Sequence, residues 1–408
     1  MSARGFDVTA VRAQFPALAE GLAHFDGPGG TQLPTPVIEA MTASMRSAVS
    51  NRGGPFASSI RAGETVQAAR EAVADLVGGD AAGVVLGANM TTVTYILSGA
   101  LAKTWRAGDE VVLSRLDHDA NVRPWVQAAR RAGATVRWAD VEPDRCELPV
   151  EAVASQLSER TRLVALTGAS NAVGTRPDVA AIAKAAHDAG ARVYVDGVHL
   201  TPHAPVDVAS LGADFYALSA YKFCGPHIGA VVADPAELAE LRPDKLEPAS
   251  DAVPNRFEQG TPSFALLAGV AAAVDYLADL VPSTGSRRQR ALGSMAAVED
   301  YEQQLFARLV AGLAAVDGLR LYGAPAARTP TLAFRLAGRH PREVGAALGA
   351  QGFCVWDGHY YALELVRRLG LAETGGMVRV GLSPYNTAAE VDALVAALVD
   401  MPVTVDIR

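Results

Sequence analysis

The sequence predicts an α/β protein with a mostly parallel seven-stranded sheet in a large domain, followed by a smaller α+β C-terminal domain. Short apolar segments alternate with amphipathic helical stretches through residues 83–232, an order that is typical of βαβ units. Polar residues cluster directly after the apolar segments, as expected where strand ends form a ligand site. The 408 residues also exceed what one hydrophobic core usually serves. We therefore expect two domains, with the functional site in the first.

The predicted strands are short and rich in β-branched and aromatic side chains, which favour extended structure. They cover residues 83–86, 110–113, 135–138, 163–166, 192–195, 215–218 and 229–232. Helical stretches such as 124–132 and 179–189 separate several of them. Less helix separates the last predicted strands, so an antiparallel strand at the edge of the sheet remains an alternative.

The rest of the chain completes the domain prediction. Residues 1–30 would form an N-terminal arm that packs with the small domain, and residues 31–262 would form the large domain. The small domain would cover residues 263–408. Its predicted elements are the helices 263–280, 294–316, 342–351 and 388–398 and the half-buried strands 331–336 and 377–382.

Composition argues against several classes of function. The net charge is −8 and the pI is near 5.5, so the chain offers no general attraction for nucleic acid or an anionic membrane surface. The first residues lack an apolar signal core, and no apolar run is long enough to cross a bilayer. Cys146, Cys224 and Cys354 are widely spaced, which predicts neither a disulfide framework nor a zinc site. We expect a cytoplasmic protein without nucleic-acid or membrane partners.

Two neighbouring predicted strands deliver an acid and an amine at their carboxyl ends. Asp196 directly follows residues 192–195, and Lys222, one of four lysines, lies just past residues 215–218. A buried lysine can form a Schiff base with a carbonyl, and a carboxylate can hold a pyridine nitrogen protonated. Enzymes that use pyridoxal 5'-phosphate combine these two groups. Taken alone, the two residues fit an N-cap aspartate and a surface lysine even better.

Other signatures of chemistry are absent or incomplete. No GxGxxG follows a first strand and no Gly-Lys dipeptide occurs, which argues against a dinucleotide-binding Rossmann site and a P-loop. Asp196, His199 and His203 are closely spaced metal-ligand types, but Pro202 would interrupt a helix between the histidines. We therefore predict no metal. There is no GxSxG motif, and we interpret Cys224 and Cys354 as structural.

The strand-end residues belong to a set of seven ordered motifs. The motifs are His118-Asp-Ala-Asn121-Val-Arg-Pro124-Trp125, Ser170-Asn171-Ala-Val-Gly174-Thr175, Asp196-Gly-Val-His199, His203-Ala-Pro-Val-Asp207, Ser219-Ala-Tyr-Lys222-Phe-Cys-Gly225-Pro226-His-Ile-Gly229, Gly260-Thr261-Pro262, and Arg379 followed by Tyr385-Asn386-Thr387. Together they resemble the class V aminotransferases, in particular the cysteine-desulfurase-like branch, from about residue 20 to the end. The resemblance implies the type I fold of pyridoxal phosphate-dependent transferases and a homodimer.

The resemblance also implies how the cofactor ring would be held. Lys222 would carry the Schiff base with the cofactor and then move a proton at the substrate carbon. Asp196 would pair with the pyridinium nitrogen, and His118 would stack on the ring face and act as a third catalytic residue. Asn171 and His199 would hydrogen-bond the ring oxygen.

The same resemblance implies phosphate-binding and substrate-binding residues. Those implied to hold the phosphate within one chain are Asn89, Met90, Thr91, Ser219 and Tyr221. Thr261 would reach the phosphate in the other subunit of the dimer. Arg379 would bind the substrate carboxylate through two parallel hydrogen bonds from its guanidinium. Arg52 would lie in a loop at the substrate pocket.

The chain departs from the family at three of these positions. Tyr221 stands where typical desulfurases have histidine before the lysine, and His199 stands where they commonly have glutamine. Tyr361 stands where their mobile loop carries the sulfur-accepting cysteine, and Cys354 lies seven residues earlier in a predicted strand. The resemblance therefore implies an aminotransferase or a carbon–sulfur (β-elimination) lyase acting on a small amino acid. The alternatives are a cysteine desulfurase with an unusual sulfur acceptor and a non-catalytic binding protein of the same fold.

Overall fold

The computed structural model describes residues 5–401. Its strands, in chain order, are β1 (Ala23–His24), β2 (Val84–Gly87), β3 (Glu110–Ser114), β4 (Thr135–Ala139), β5 (Thr161–Thr167), β6 (Arg192–Asp196), β7 (Phe215–Ser219), β8 (Gly229–Ala233), β9 (Leu319–Tyr322), β10 (Thr331–Leu336), β11 (Phe353–Cys354), β12 (Trp356–Gly358) and β13 (Met377–Gly381). Its helices are α1 (Val8–Arg12), α2 (Thr35–Arg46), α3 (Ala57–Val77), α4 (Met90–Ala102), α5 (Arg123–Ala132), α6 (Val150–Ala154), α7 (Val179–Asp188), α8 (Val208–Leu211), α9 (Pro235–Glu240), α10 (Phe264–Ala278), α11 (Arg287–Leu313), α12 (Pro341–Gly349), α13 (Leu363–Arg368) and α14 (Ala388–Val399).

The large sheet has the strand order β2-β8-β7-β6-β5-β3-β4. Its strands from β4 to β7 run parallel, whereas β8 is antiparallel to both β7 and β2. In β6, Val193 and Val195 belong to one hydrophobic cluster and Tyr194 belongs to another. Burial on both faces explains why the strand sequences are almost continuously apolar. The predicted α/β fold, with a mostly parallel seven-stranded sheet and an antiparallel edge, is confirmed.

A second, antiparallel sheet lies in the C-terminal part of the chain, with the order β12-β13-β10-β9. Strands β10 and β13 are buried on both faces, because Ala333 and Met377 pack in a different hydrophobic cluster from Phe334 and Val380. The prediction that these strands are half-buried was therefore wrong. Phe334 and Val380 share a hydrophobic cluster with Leu309 of α11, Leu348 of α12 and Leu394 of α14. This arrangement is the α+β organisation expected for the smaller domain.

Residues of the N-terminal arm contact the C-terminal part. Strand β1 pairs in parallel with β11, and the guanidinium of Arg12 lies 2.9 Å from the carboxylate of Glu390. Helix α10 packs against α2 and α3 as well as against α11. The division of the chain into 1–30, 31–262 and 263–408 stays a prediction.

Helix α11 begins at Arg287, earlier than the predicted start at residue 294. The Ser286 hydroxyl accepts a hydrogen bond from Gln289 N at 3.3 Å, and the Gln289 side chain accepts one from Ser286 N at 2.9 Å. This Ser-x-x-Gln capping box stabilises the first turn, although few apolar residues mark it. Neither α11 nor any other helix within residues 5–401 is long and apolar enough to cross a membrane.

Candidate active site

The carboxyl ends of the parallel strands converge on an inner cavity. The residues that line it are Pro28, Asn89, Met90, Thr91, His118, Ala120, Thr167, Ala169, Asn171, Asp196, Val198, His199, Ser219, Tyr221 and Lys222. Of the predicted cofactor-binding residues, Thr261 alone lies outside this set. The convergence follows from topology, because parallel strands end at the same edge of the sheet.

Lys222 and Asp196 bring an amine and a carboxyl group into this cavity. Lys222 lies in a short 3₁₀ turn after β7, and its Nζ donates a hydrogen bond to Pro28 O. Burial lowers the pKa of Lys222 to about 7, and the nearby Arg379 charge adds to that shift while Asp196 opposes it. Burial raises the pKa of Asp196 to about 6, although Val198 N donates to its carboxylate at 3.0 Å. The amine is therefore partly neutral near pH 7, as a nucleophile requires.

His118 supplies an aromatic ring to the cavity wall. Its Nδ1 accepts a hydrogen bond from Ala120 N at 3.0 Å, which leaves Nε2 as the protonated nitrogen of the neutral ring. Burial, with the Lys222 and Arg379 charges, lowers the pKa of His118 to about 3. The ring is therefore neutral near pH 7. It stacks on Tyr361, with ring centroids 5.3 Å apart and planes inclined by 27°.

The N-terminus of α4 forms one end of the inner cavity. The Asn89 side chain caps the helix by accepting a hydrogen bond from Thr92 N at 2.9 Å, and Met90 N donates to Ser219 Oγ at 3.4 Å. Gly229 of β8 passes so close that a Cβ there would lie 2.0 Å from Met90 N and 2.1 Å from Asn89 C. The unpaired N–H groups at such a helix start attract anionic groups such as a phosphate.

Asn171 and His199 line the inner cavity from the segments that follow β5 and β6. Asn171 Nδ2 donates to Tyr360 O at 2.8 Å, whereas its Oδ1 is buried without a hydrogen-bond partner. His199 Nε2 lies 3.0 Å from Thr331 Oγ1, and burial lowers the pKa of His199 well below its usual value. An unpaired buried acceptor is costly unless a ligand satisfies it. The wall therefore has a place for a ligand hydroxyl.

A second pair of buried side chains lies behind His199. The rings of His199 and His203 meet edge to face at 5.0 Å, and His203 Nδ1 lies 2.8 Å from Glu302 Oε2. Glu302 Oε1 has no hydrogen-bond partner. In the part of the chain that the structure describes, no group of three or more His, Cys, Asp or Glu side chains could hold a metal ion.

An outer cavity of about 680 Å³ continues from the inner one. Both cavities share Lys222 and His118, and Arg379 lines the outer one. The guanidinium of Arg379 donates from Nη1 to Asn171 O at 2.9 Å and lies 4.7 Å from the ring centre of Tyr360, but its buried Nε has no partner. Burial lowers the pKa of Arg379 to about 10. A buried guanidinium with a free edge is suited to a ligand carboxylate.

Two predicted site residues lie outside both cavities in the single chain. Arg52 donates to Glu258 Oε2 at 3.3 Å, and Glu258 also accepts from Arg70. Thr261 is exposed in the loop after Gly260. Neither lines the inner or the outer cavity, so their roles in substrate and phosphate binding stay predictions.

The three cysteines are not part of the cavity walls. Cys146 and Cys224 are buried, and burial raises the pKa of the Cys224 thiol to about 12. Cys354 lies in β11, as its sequence predicted, and faces His24 in the register with β1. None of the three lines the inner or the outer cavity.

Asp117 lines neither cavity but supports the site, a role that the sequence did not show. Burial raises the pKa of Asp117 to about 8, and the nearby charge of Asp196 also raises it. Ser114 Oγ and Asn121 Nδ2 donate hydrogen bonds to the Asp117 carboxyl group. Trp125 Nε1 in turn donates to Asn121 Oδ1 at 2.9 Å. This network fixes the loop that carries the stacking histidine. The signal for this role in the sequence was an aspartate directly before a histidine at the end of a predicted strand.

Comparisons with known proteins agree with this geometry. A family model described as aminotransferase class-V matches residues 23–394. The chain is 37% identical over 399 residues to an uncharacterised protein of Mycobacterium tuberculosis, with 97% of this chain and 99% of the relative covered. It is 34% identical to a cysteine desulfurase of Klebsiella pneumoniae, with 96% and 98% covered. A crystal structure of the cysteine desulfurase CsdA (S-sulfonic acid) from Escherichia coli matches with a TM-score of 0.85 at 30% identity, covering 96% and 98% of the two chains.

Proposed function

Because the chain belongs to the class V aminotransferase family of pyridoxal phosphate-dependent enzymes, we propose that it is a carbon–sulfur lyase that removes a sulfur substituent from an α-amino acid by β-elimination. Its fold is the type I fold of these enzymes. The inner cavity fits the cofactor, because it offers an amine, a carboxylate, a helix start and an unpaired acceptor at Asn171 Oδ1.

The side chains around the inner cavity suit the proposed roles. When bound, the cofactor withdraws electrons from the substrate α-carbon. Lys222 would supply the amine that binds the cofactor and would afterwards take the α-proton of the substrate. Asp196 would pair with the ring nitrogen as its counter-charge, and His118 would stack on the ring. Arg379, which lines the outer cavity together with Lys222, would hold the substrate carboxylate.

The cysteines support the choice of β-elimination over transfer of sulfur to the chain. Among the described residues, no cysteine lines either cavity. Tyr361, which lines the outer cavity, stands where the sequence resemblance implies the family's sulfur-accepting cysteine. Without a thiol beside the substrate sulfur, the sulfur has no acceptor on the chain. It then leaves with its own substituent as a thiol, and water completes the reaction to pyruvate and ammonium.

The test is a product analysis of purified holoenzyme supplied with S-substituted cysteines and with alanine. We expect thiol, pyruvate and ammonium in equal amounts, with the visible absorption of the cofactor restored after turnover. A stable pyridoxamine form that a keto acid reverses would instead identify an aminotransferase. Lys222→Ala is expected to abolish turnover, whereas Lys184→Ala, which removes an exposed lysine paired with Asp188, is expected to leave it unchanged.

We further propose that the enzyme works as a cytoplasmic homodimer in which Thr261 completes the site of the partner subunit. The three free cysteines suit a reducing compartment. Large apolar side chains of α2 and α3, Met45 and Ile60, are more than half exposed, and a dimer interface that covered them would remove apolar surface from water. The test is to mix Lys222→Ala chains with Thr261→Ala chains. In a hybrid dimer, Lys222 of one chain and Thr261 of the other would form one site with both wild-type residues, so the mixture should regain activity. A monomeric, active chain in sedimentation would contradict this.

A further inference from the structure

A fixed turn closes the outer cavity beside His118. Tyr360 and Tyr361 both have left-handed backbones, with φ of 51° and 60°, a conformation that non-glycine residues adopt only when their surroundings enforce it. Asn171 Nδ2 donates to Tyr360 O at 2.8 Å, and Asp119 N donates to Tyr361 O at 2.7 Å. The loops after β3 and β5 therefore hold the turn from two sides. Tyr361 lies in a defined place and not on a swinging loop.

The turn leaves an aromatic surface open to the cavity. The side chain of Tyr361 is 65% exposed although one face stacks on His118. Trp356 is 51% exposed and Tyr95 is 39% exposed, and both line the same cavity together with Pro124. Three large aromatic side chains around one cavity gain free energy if an apolar ligand group covers them.

The charged residues of this wall already have partners. Arg123 Nε donates to Asp119 Oδ1 at 2.7 Å, and Arg123 Nη2 donates to Glu364 Oε1. Asp357 Oδ1 accepts from Arg342 at 3.0 Å. Deeper in the cavity, Arg379 has a free edge for the substrate carboxylate. A substrate side chain that points toward the wall therefore meets aromatic rings and neutralised ion pairs, which favours an uncharged, apolar group.

Resting on the proposed lyase function, we propose that the preferred substrate is an S-substituted cysteine whose sulfur carries an aryl or similarly bulky apolar group, and that Tyr361 selects it by stacking. The substrate R–S–CH₂–CH(NH₃⁺)–COO⁻ loses its α-proton to Lys222, and the C–S bond breaks with both electrons on sulfur. The thiolate R–S⁻ takes up a proton and departs, and water converts the remaining three-carbon fragment to pyruvate and ammonium. No oxidant or reductant is required. The proposed substrate is larger than the small amino acid expected from the sequence.

Two measurements on holoenzyme test the selection. In the first, kcat/KM is compared for S-phenylcysteine and S-methylcysteine, and we expect a preference of at least about tenfold for the phenyl compound. In the second, calorimetry gives Kd for homophenylalanine and norvaline, which resemble the two substrates but carry no leaving group. We expect the same order of preference in binding.

The variants separate stacking from folding. Tyr361→Ala should reduce both preferences to about twofold or less, whereas Tyr361→Phe should keep them because the ring remains. Leu246→Ala, which shortens a side chain that is 74% exposed and outside both cavities, should keep them as well. An undiminished preference in Tyr361→Ala, or a wild-type preference for S-methylcysteine, would overturn the inference.

The outcomes also distinguish this inference from the proposed function. If both S-substituted cysteines yield pyruvate and thiol at equal rates, the lyase stands and the selectivity is refuted. If neither yields pyruvate but homophenylalanine binds more tightly than norvaline in a Tyr361-dependent way, the lyase is refuted and the selectivity for apolar side chains stands.

Discussion

Replacement of Arg379 by lysine tests how the site binds a substrate carboxylate. Arg379 Nη1 is engaged with Asn171 O at 2.9 Å, and the edge that includes Nε is free. That edge can donate two parallel hydrogen bonds to a carboxylate. Lysine donates from a single nitrogen, so Arg379→Lys loses about one charge-assisted bond, worth about 1.5–3 kcal/mol. This converts to roughly 10- to 150-fold weaker binding of a carboxylate ligand.

The assay compares two ligands that differ only in the carboxylate. Titration of the holoenzyme with alanine and with ethylamine, followed by the visible absorption of the cofactor, gives a Kd for each. In the variant, the Kd of alanine should rise by the predicted factor and that of ethylamine should stay within about twofold, because ethylamine has nothing to bind at residue 379.

The comparison also detects damage to the site, since Arg379 contacts both Asn171 and Tyr360. Equal weakening for alanine and ethylamine would show that the substitution disturbs these neighbours, and it would refute carboxylate binding as the cause. An unchanged Kd for alanine would refute the role of Arg379 altogether. Cofactor content and circular dichroism of both proteins serve as controls for folding.

Three further predictions concern the cofactor site and its support. Since the pKa of Lys222 is lowered to about 7, the rate at which the cofactor-free chain binds pyridoxal phosphate should rise roughly tenfold from pH 6 to pH 8 and then level off. A lysine with an unshifted pKa would instead give roughly a hundredfold rise over the same range and no plateau. Gly229→Ala should weaken cofactor affinity at least about tenfold in an absorbance titration, because the Cβ would collide with the start of α4, whereas Gly99→Ala, with nothing within 4 Å, should not. His203→Ala removes the side chain that pairs with buried Glu302, so urea unfolding should show a loss of about 1–3 kcal/mol; equal stability would mean that the pair contributes nothing.

The strands and the acid–amine pair could be predicted because their signals are local. Each strand is a run of about five residues with its polar neighbours next to it in the sequence, so periodicity and strand ends were sufficient to place Asp196 and Lys222 at one edge. The start of α11 was missed by periodicity, although the Ser286–Gln289 capping box was present in the sequence. A local chemical signal there carried more information than the apolar pattern.

Contacts between distant segments could not be derived in the same way. His199 contacts Thr331, which is 132 residues later, and Asn171 holds a turn 189 residues later through Tyr360 O. Neither Thr331 nor Tyr360 lies in a sequence motif that predicts the contact, because these two small-domain segments reach the site only through the packing of the whole chain. The position of Tyr361 depends on the contact of Asn171 with Tyr360 O and on the hydrogen bond from Asp119 N to Tyr361 O, so it became visible only in the structure.

The charges of the site couple substrate binding to the strength of the proposed base. Arg379 is the nearby charge that does most to lower the pKa of Lys222 after burial itself, and it also lowers that of His118. A substrate carboxylate on Arg379 would neutralise that charge and remove its effect on the amine. The pKa of Lys222 would then rise while the substrate is in place, and a stronger base would face the α-proton. Before binding, the lower pKa keeps the amine partly neutral for reaction with the cofactor carbonyl. The same buried arginine would thus serve both steps, because a bound substrate carboxylate would remove the effect of its charge on Lys222.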